Sequence, residues 1–160
     1  MLVGDSITEF AYVPDLCGKP VLNAGLAGSQ VGDWERRLPA MLTAAKPSIV
    51  IFALGINDAK RGSSAKPRAW RQSYQSLIAQ VREAKIAIVG VQHVEPGKAK
   101  SSFYDEALGR ELDNNARALA GQLGATFIAP LPNIAGKTSD GIHLNDVGRR
   151  EWVERLNLAC

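Results

Sequence analysis

The sequence predicts an α/β protein in which a central parallel sheet is covered by helices on both faces. Three observations predict it. Short apolar runs alternate with longer amphipathic ones along the chain, the pattern of repeated strand–helix units. Residues 49–54, Ile-Val-Ile-Phe-Ala-Leu, form an unbroken apolar run, as expected of a strand buried on both sides. The polar residues suited to chemistry stand just after the apolar runs, and sites in open parallel sheets gather at the carboxyl ends of the strands.

Taken in order, strands are expected at Leu2-Val3, at Val21-Leu22 ending on Asn23, at 49–54, at 86–91 and at 125–128. Helices are expected between them. Over 34–45, Trp34, Leu38, Met41, Leu42 and Ala45 recur at helical spacing; over 70–84, Trp70, Tyr74, Leu77, Ile78 and Val81 do the same. Two more amphipathic stretches run over 103–123 and 146–158. Right-handed crossovers leave few ways to connect such units. No internal repeat or low-complexity stretch divides the chain, and 160 residues fit one domain over 1–160.

Bulk composition narrows the function. Nineteen basic and 16 acidic residues leave a formal charge of only +3, too mild to argue for nucleic acid or an anionic membrane as partner. No apolar run reaches the roughly 18 residues of a membrane span. The two cysteines, Cys17 and Cys160, make neither a disulfide framework nor a metal-ligand cluster, so a buried Cys17 and a free Cys160 are expected. No signal peptide precedes the first motif, which favours a cytoplasmic location for the chain as given. The run before Gly4 is short for a central strand, so residues upstream of Met1, and a targeting signal with them, stay open.

Four segments carry candidate chemistry. Gly4-Asp5-Ser6-Ile7-Thr8 follows the first strand, where a serine at a strand-to-loop turn can present its hydroxyl; Asp-Ser is also ordinary helix-cap chemistry. Asn23-Ala24-Gly25-Leu26-Ala27-Gly28 follows the second, and its two glycines allow a tight turn and a close backbone approach. Gly55-Ile56-Asn57-Asp58 follows the third; Asn57 can aim its amide at a ligand or simply shape the turn. Asp140-Gly141-Ile142-His143 precedes the last helix, and its spacing puts carboxylate and imidazole on one side of a turn. The carboxylate can then fix the tautomer and stabilise the protonated ring. Of the two histidines, His93 and His143, only His143 has an aspartate so placed.

Together these segments resemble the GDSL-type, or SGNH, hydrolase family: serine first, then glycine, then asparagine, then Asp-x-x-His, over Gly4 to Asn145. The resemblance implies a three-layer flavodoxin-like fold with sheet order 2-1-3-4-5. It implies Ser6 as nucleophile, with Asp140 and His143 completing a triad. It also implies an oxyanion hole from the Ser6 and Gly28 amides and the Asn57 side chain. Two departures stand out. Ile7-Thr8 replaces the leucine of the name-giving motif, and the first strand is short.

The expected activity is therefore cofactor-free hydrolysis of a small-molecule carboxylic ester, with no metal, through an acyl-enzyme. A chain this small leaves no room for a large lid, which favours short acyl groups such as acetyl on carbohydrates. Lys60, Arg61, Lys66 and Arg68 follow Asn57. They raise the alternative of a lysophospholipase or thioesterase acting on anionic acyl substrates, against a simply solvated loop. A catalytically inactive flavodoxin-like binding module is the other alternative. Oligomeric state and the role of His93 are left open.

Overall fold

A computed structural model of the chain describes residues 1–63 and 65–160. Its strands are β1 (Leu2–Gly4), β2 (Asp15–Leu16), β3 (Lys19–Pro20), β4 (Asn23–Gly25), β5 (Ile49–Ala53), β6 (Lys85–Val89) and β7 (Thr126–Ile128). Its helices are α1 (Ser6–Glu9), α2 (Leu38–Ala45), α3 (Pro67–Ile78), α4 (Glu106–Leu123) and α5 (Asp146–Leu156). Five strands form a parallel sheet in the order β4-β1-β5-β6-β7. Counting only the strands of that sheet, this is the expected 2-1-3-4-5.

The apolar run 49–54 becomes the central strand for a simple reason. Consecutive residues of a strand face opposite sides, and Val50, Ile51 and Phe52 are all at most 1% exposed. Both faces of β5 are therefore covered. Phe52 meets the Tyr74 ring of α3 edge-on at 6.1 Å, and α4 packs beside α3 across β6 and β7. On the opposite face, buried Trp152 of α5 lines a small cavity together with Ala53 and Val89.

The active end of the sheet depends on two glycines. Gly4 ends β1, Gly25 ends β4, and the two are register partners. A side chain on Gly4 would start 1.9 Å from Thr8 Oγ1, and one on Gly25 would start 2.2 Å from the backbone nitrogen of Glu9. Only bare backbone lets α1 lie down across both strand ends.

Several expected boundaries move. The second strand is Asn23–Gly25 rather than Val21-Leu22: pairing with β1 selects it, while Leu22 contributes a carbonyl to the Leu2 N–H. The expected helix over 34–45 splits into a 3₁₀ turn, Val31–Trp34, and α2. Pro39 sits in the first turn of α2, where its missing N–H costs nothing, whereas in a continuous helix it would remove a bond. Helix α3 begins at Pro67 and stops at Ile78. Helix α4 starts only at Glu106, capped by Asp105. The last helix gives way to a 3₁₀ turn at Asn157–Ala159.

The cysteines correct the sequence reading. Cys17 and Cys160 are joined by a disulfide, with their α-carbons 5.4 Å apart. Sequence separation concealed the pair because tertiary folding makes it. Strands β2 and β3 form a small hairpin whose two turn residues, Cys17 and Gly18, both have positive φ (55° and 69°), as a primed hairpin turn requires. That turn carries Cys17 to the end of the chain after α5.

A bond spanning 143 positions restricts the unfolded chain heavily, and such bonds typically contribute about 2–4 kcal/mol. Cys160→Ser is expected to lower unfolding free energy by about that amount in denaturant titration. Reductant should bring the wild type to the same midpoint and leave the variant unmoved. A wild type indifferent to reductant would show that the bond adds nothing.

Candidate active site

Ser6 is the first residue of α1, immediately beyond β1. Asp5 caps the helix: its carboxylate accepts the Ile7 N–H at 2.9 Å. The cap chemistry and the presentation of the serine are thus one arrangement, not competing readings. Ser6 is only 5% exposed, so its hydroxyl lies at the floor of the site.

His143 reaches Ser6 from the loop between β7 and α5. Asp140 folds that loop over itself, its Oδ1 accepting the N–H groups of Ile142 (3.1 Å) and His143 (2.9 Å). Its Oδ2 lies 2.7 Å from His143 Nδ1, and His143 Nε2 lies 3.0 Å from Ser6 Oγ. An ionised carboxylate can only accept, so Nδ1 carries the proton and Nε2 is left to accept from the Ser6 hydroxyl. The Phe10 ring flanks the imidazole, 5.6 Å between centroids. Partial burial works against the charge on Asp140, but the His143 N–H and ring, Lys100 and the Ile142 N–H outweigh it and hold the carboxyl well below the usual range.

The other expected site residues converge on the same strand ends. Gly28 sits at φ 78° in the loop after β4. Neither its N–H nor that of Ser6 donates to a protein acceptor among the described residues. Asn57 is buried in a 3₁₀ turn, Asn57–Ala59, just after β5. Its side-chain amide donates to the Ser29 carbonyl at 3.1 Å, and Gln30 Nε2 donates back to the Asn57 carbonyl at 3.0 Å. Glu9 holds the Ala27 N–H at 2.8 Å, and Ser29 Oγ donates to the Gly4 carbonyl at 3.2 Å. The loop bearing Gly28 is thus tied to α1, β1 and Asn57.

Sequence reasoning missed Glu9, Gln30 and a bracket formed by residues after β6. Within it the Glu95 carboxylate accepts the N–H groups of Gly136 (2.7 Å) and Thr138 (3.1 Å) and the Thr138 hydroxyl. These donors, Thr138 foremost, keep Glu95 below its ordinary pKa. The Glu95 N–H donates to the Gly141 carbonyl at 2.9 Å, so one residue holds the triad loop at both ends. No local signal announces such contacts, which span more than 40 positions.

His93 lines a small crevice with Ile56, Gln92, Asp105 and Gly109. Of the basic residues, Arg61 is tied to the Ser102 carbonyl at 3.0 Å and Lys60 stands over the Tyr104 ring at 6.0 Å. Lys66 and Arg68 belong to the start of α3. Among the described residues, no group of three His, Cys, Asp or Glu side chains is placed to hold a metal ion, and no helix is long and apolar enough to cross a membrane.

Comparison with known proteins identifies the family and the fold. The model of the GDSL-like lipase/acylhydrolase family matches residues 2–151. Esterase TesA of Pseudomonas aeruginosa is 31% identical over 126 residues, 77% of this chain; the chain spans only 60% of that relative's length. A lipase/acylhydrolase from Enterococcus faecalis superposes with a TM-score of 0.82 at 21% identity, covering 98% of this chain and 91% of that one. The acetyl xylan esterase AlAXEase gives 0.80 at 21% identity, covering 97% and 96%.

Two carboxylates below the site have the opposite electrostatics to Asp140. Burial pushes Asp5 up to about 7 and Asp58 up to about 6. The unfolded chain releases these protons near pH 4, so their contribution to stability is full below that and lost as pH rises through about 6 and 7. Asp140 works in the other direction, stabilising above the carboxylate range and losing that contribution as pH falls. Asp58→Asn, which keeps an acceptor for the Val31 N–H, should gain in melting temperature over the wild type as pH goes from 4 to 8. A difference constant with pH would mean that Asp58 is charged in the fold throughout.

Proposed function

We propose that this chain, which belongs to the GDSL-like lipase/acylhydrolase family, is a serine hydrolase that removes short acyl groups from carboxylic esters. The observation that carries the reading is the continuous Asp140–His143–Ser6 relay, 2.7 Å and then 3.0 Å, at the carboxyl ends of the strands.

The reaction follows from that relay. His143 Nε2 takes the hydroxyl proton as Ser6 Oγ attacks the acyl carbon, and the carbonyl electrons move onto oxygen. The Ser6 and Gly28 N–H groups and the Asn57 side chain form the proposed oxyanion hole. As the intermediate collapses, the imidazolium returns its proton to the departing alkoxide and an acyl-Ser6 remains. Water, deprotonated by His143, then attacks the ester, releases the carboxylic acid and restores the hydroxyl.

The surroundings of the relay favour a small acyl group on a bulky alcohol. Phe10 (53% exposed) and Tyr12 (85% exposed) flank an open groove of about 860 Å³, with Arg149, Arg150 and Val153 of α5 on its other side. Two exposed aromatic rings beside polar side chains suit a carbohydrate, and the fold-level likeness to an acetyl xylan esterase points the same way. The proposed substrate class is therefore O-acetylated carbohydrate. With Lys60 and Arg61 engaged at residues 102–104, anionic acyl substrates have less support.

Hydrolysis of p-nitrophenyl esters should be fastest with acetyl and fall with chain length, and Ser6→Ala should abolish it while keeping the melting temperature. A preference for long acyl chains would overturn the substrate class; full activity in Ser6→Ala would overturn the mechanism. Asn57→Ala should lose about 10²–10³ in kcat with little change in KM, because an oxyanion donor acts mainly on the transition state. A folded Asn57→Ala protein that keeps its turnover would remove Asn57 from the oxyanion hole.

A further inference from the structure

We infer that Lys100 is a positioning residue of the triad, whose ammonium shares Asp140 Oδ2 with the His143 ring and so sets how strongly that carboxylate supports the imidazolium. The inference rests on the hydrolase reading above. Lys100 Nζ lies 2.9 Å from Asp140 Oδ2, the oxygen that receives His143 Nδ1 at 2.7 Å. The backbone joins in: the Lys100 N–H donates to the Asp140 carbonyl at 2.8 Å. With Oδ1 taken by two N–H groups, all four donors of this carboxylate are accounted for, and one of them is a full cation.

A cation on the shared oxygen opposes a positive charge on the adjacent ring. Asp140 alone would stabilise positive charge developing on the His143 ring during the reaction; with Lys100 bound to the same oxygen, that support is reduced. The other titratable groups around the pair are Glu95 and Lys98 on the bracket, Tyr104, Asp5 beside Ser6, and Asp146 and Arg149 on α5. Glu95 and Lys98 are engaged with residues 136–138. Arg149 is bound to Asp146 and the Leu144 carbonyl. Lys100 is the cation seated on Asp140 itself. Because the ion pair is partly solvated, with side-chain exposures of 47% and 21%, it adds little to stability, and its effect belongs to the chemistry.

The test is the pH dependence of Ser6 labelling by a fluorophosphonate, which needs the relay but no knowledge of the natural ester. In Lys100→Met the acid limb should have its midpoint about 0.5–1 pH unit above wild type. Lys100→Arg should restore it, and the melting temperatures of all three should agree closely. A lysine that served structure alone would lower the alkaline plateau and leave the midpoint in place. That result, or a midpoint shift that arginine does not rescue, overturns the inference while the hydrolase reading stands. Failure of the wild type to be labelled at any pH would overturn the hydrolase reading and this inference together.

Discussion

The site depends on a contact between backbones. Helix α1 lies across the ends of β1 and β4 only because Gly4 and Gly25 present no side chain to Thr8 and Glu9. That contact puts Ser6 at the first turn of α1, brings Glu9 within reach of the Ala27 N–H, and lets Ser29 close onto the Gly4 carbonyl. The nucleophile and the glycine loop are thereby held by the same few ångströms of packing. The parallel register of β1 with β5 then brings Asn57 to the same edge.

Three aspartates within this small region illustrate how environment divides one residue type into different tasks. Asp140 is surrounded by donors and remains charged well below the ordinary carboxylate range. Asp5 and Asp58 lie in the interior, where desolvation favours the protonated acid. The first can orient and support an imidazolium. The other two fix backbone N–H groups at the start of α1 and at Val31. They are structural elements whose cost is charge-dependent.

Features encoded locally were legible in the sequence. The 49–54 run, the Asp-x-x-His turn and the serine after the first apolar run all depend on neighbours within a few residues. Features encoded by distant partners were not. Asn23–Gly25 carries almost no apolar signal and becomes a strand because β1 pairs with it. The Cys17-Gly18 hairpin lacks the usual asparagine or aspartate before its glycine. Glu95 and Lys100 stand on a loop with no motif, and only the tertiary fold brings them to the triad. The disulfide belongs to the same group.

That disulfide also decides what becomes of a molecule whose chain is cut. Ser6 lies on the amino-terminal side of Cys17, while Asp140 and His143 lie shortly before Cys160. Any single cleavage between residues 18 and 159 therefore leaves two fragments, one bearing the serine and the other the end of the chain. Cleavage before Asp140 would place the histidine and aspartate on the second fragment, and the Cys17–Cys160 bond would tether it to the first. Proteolytic nicking of an exposed loop can thus leave the whole relay within one covalent molecule, until a reductant separates its halves.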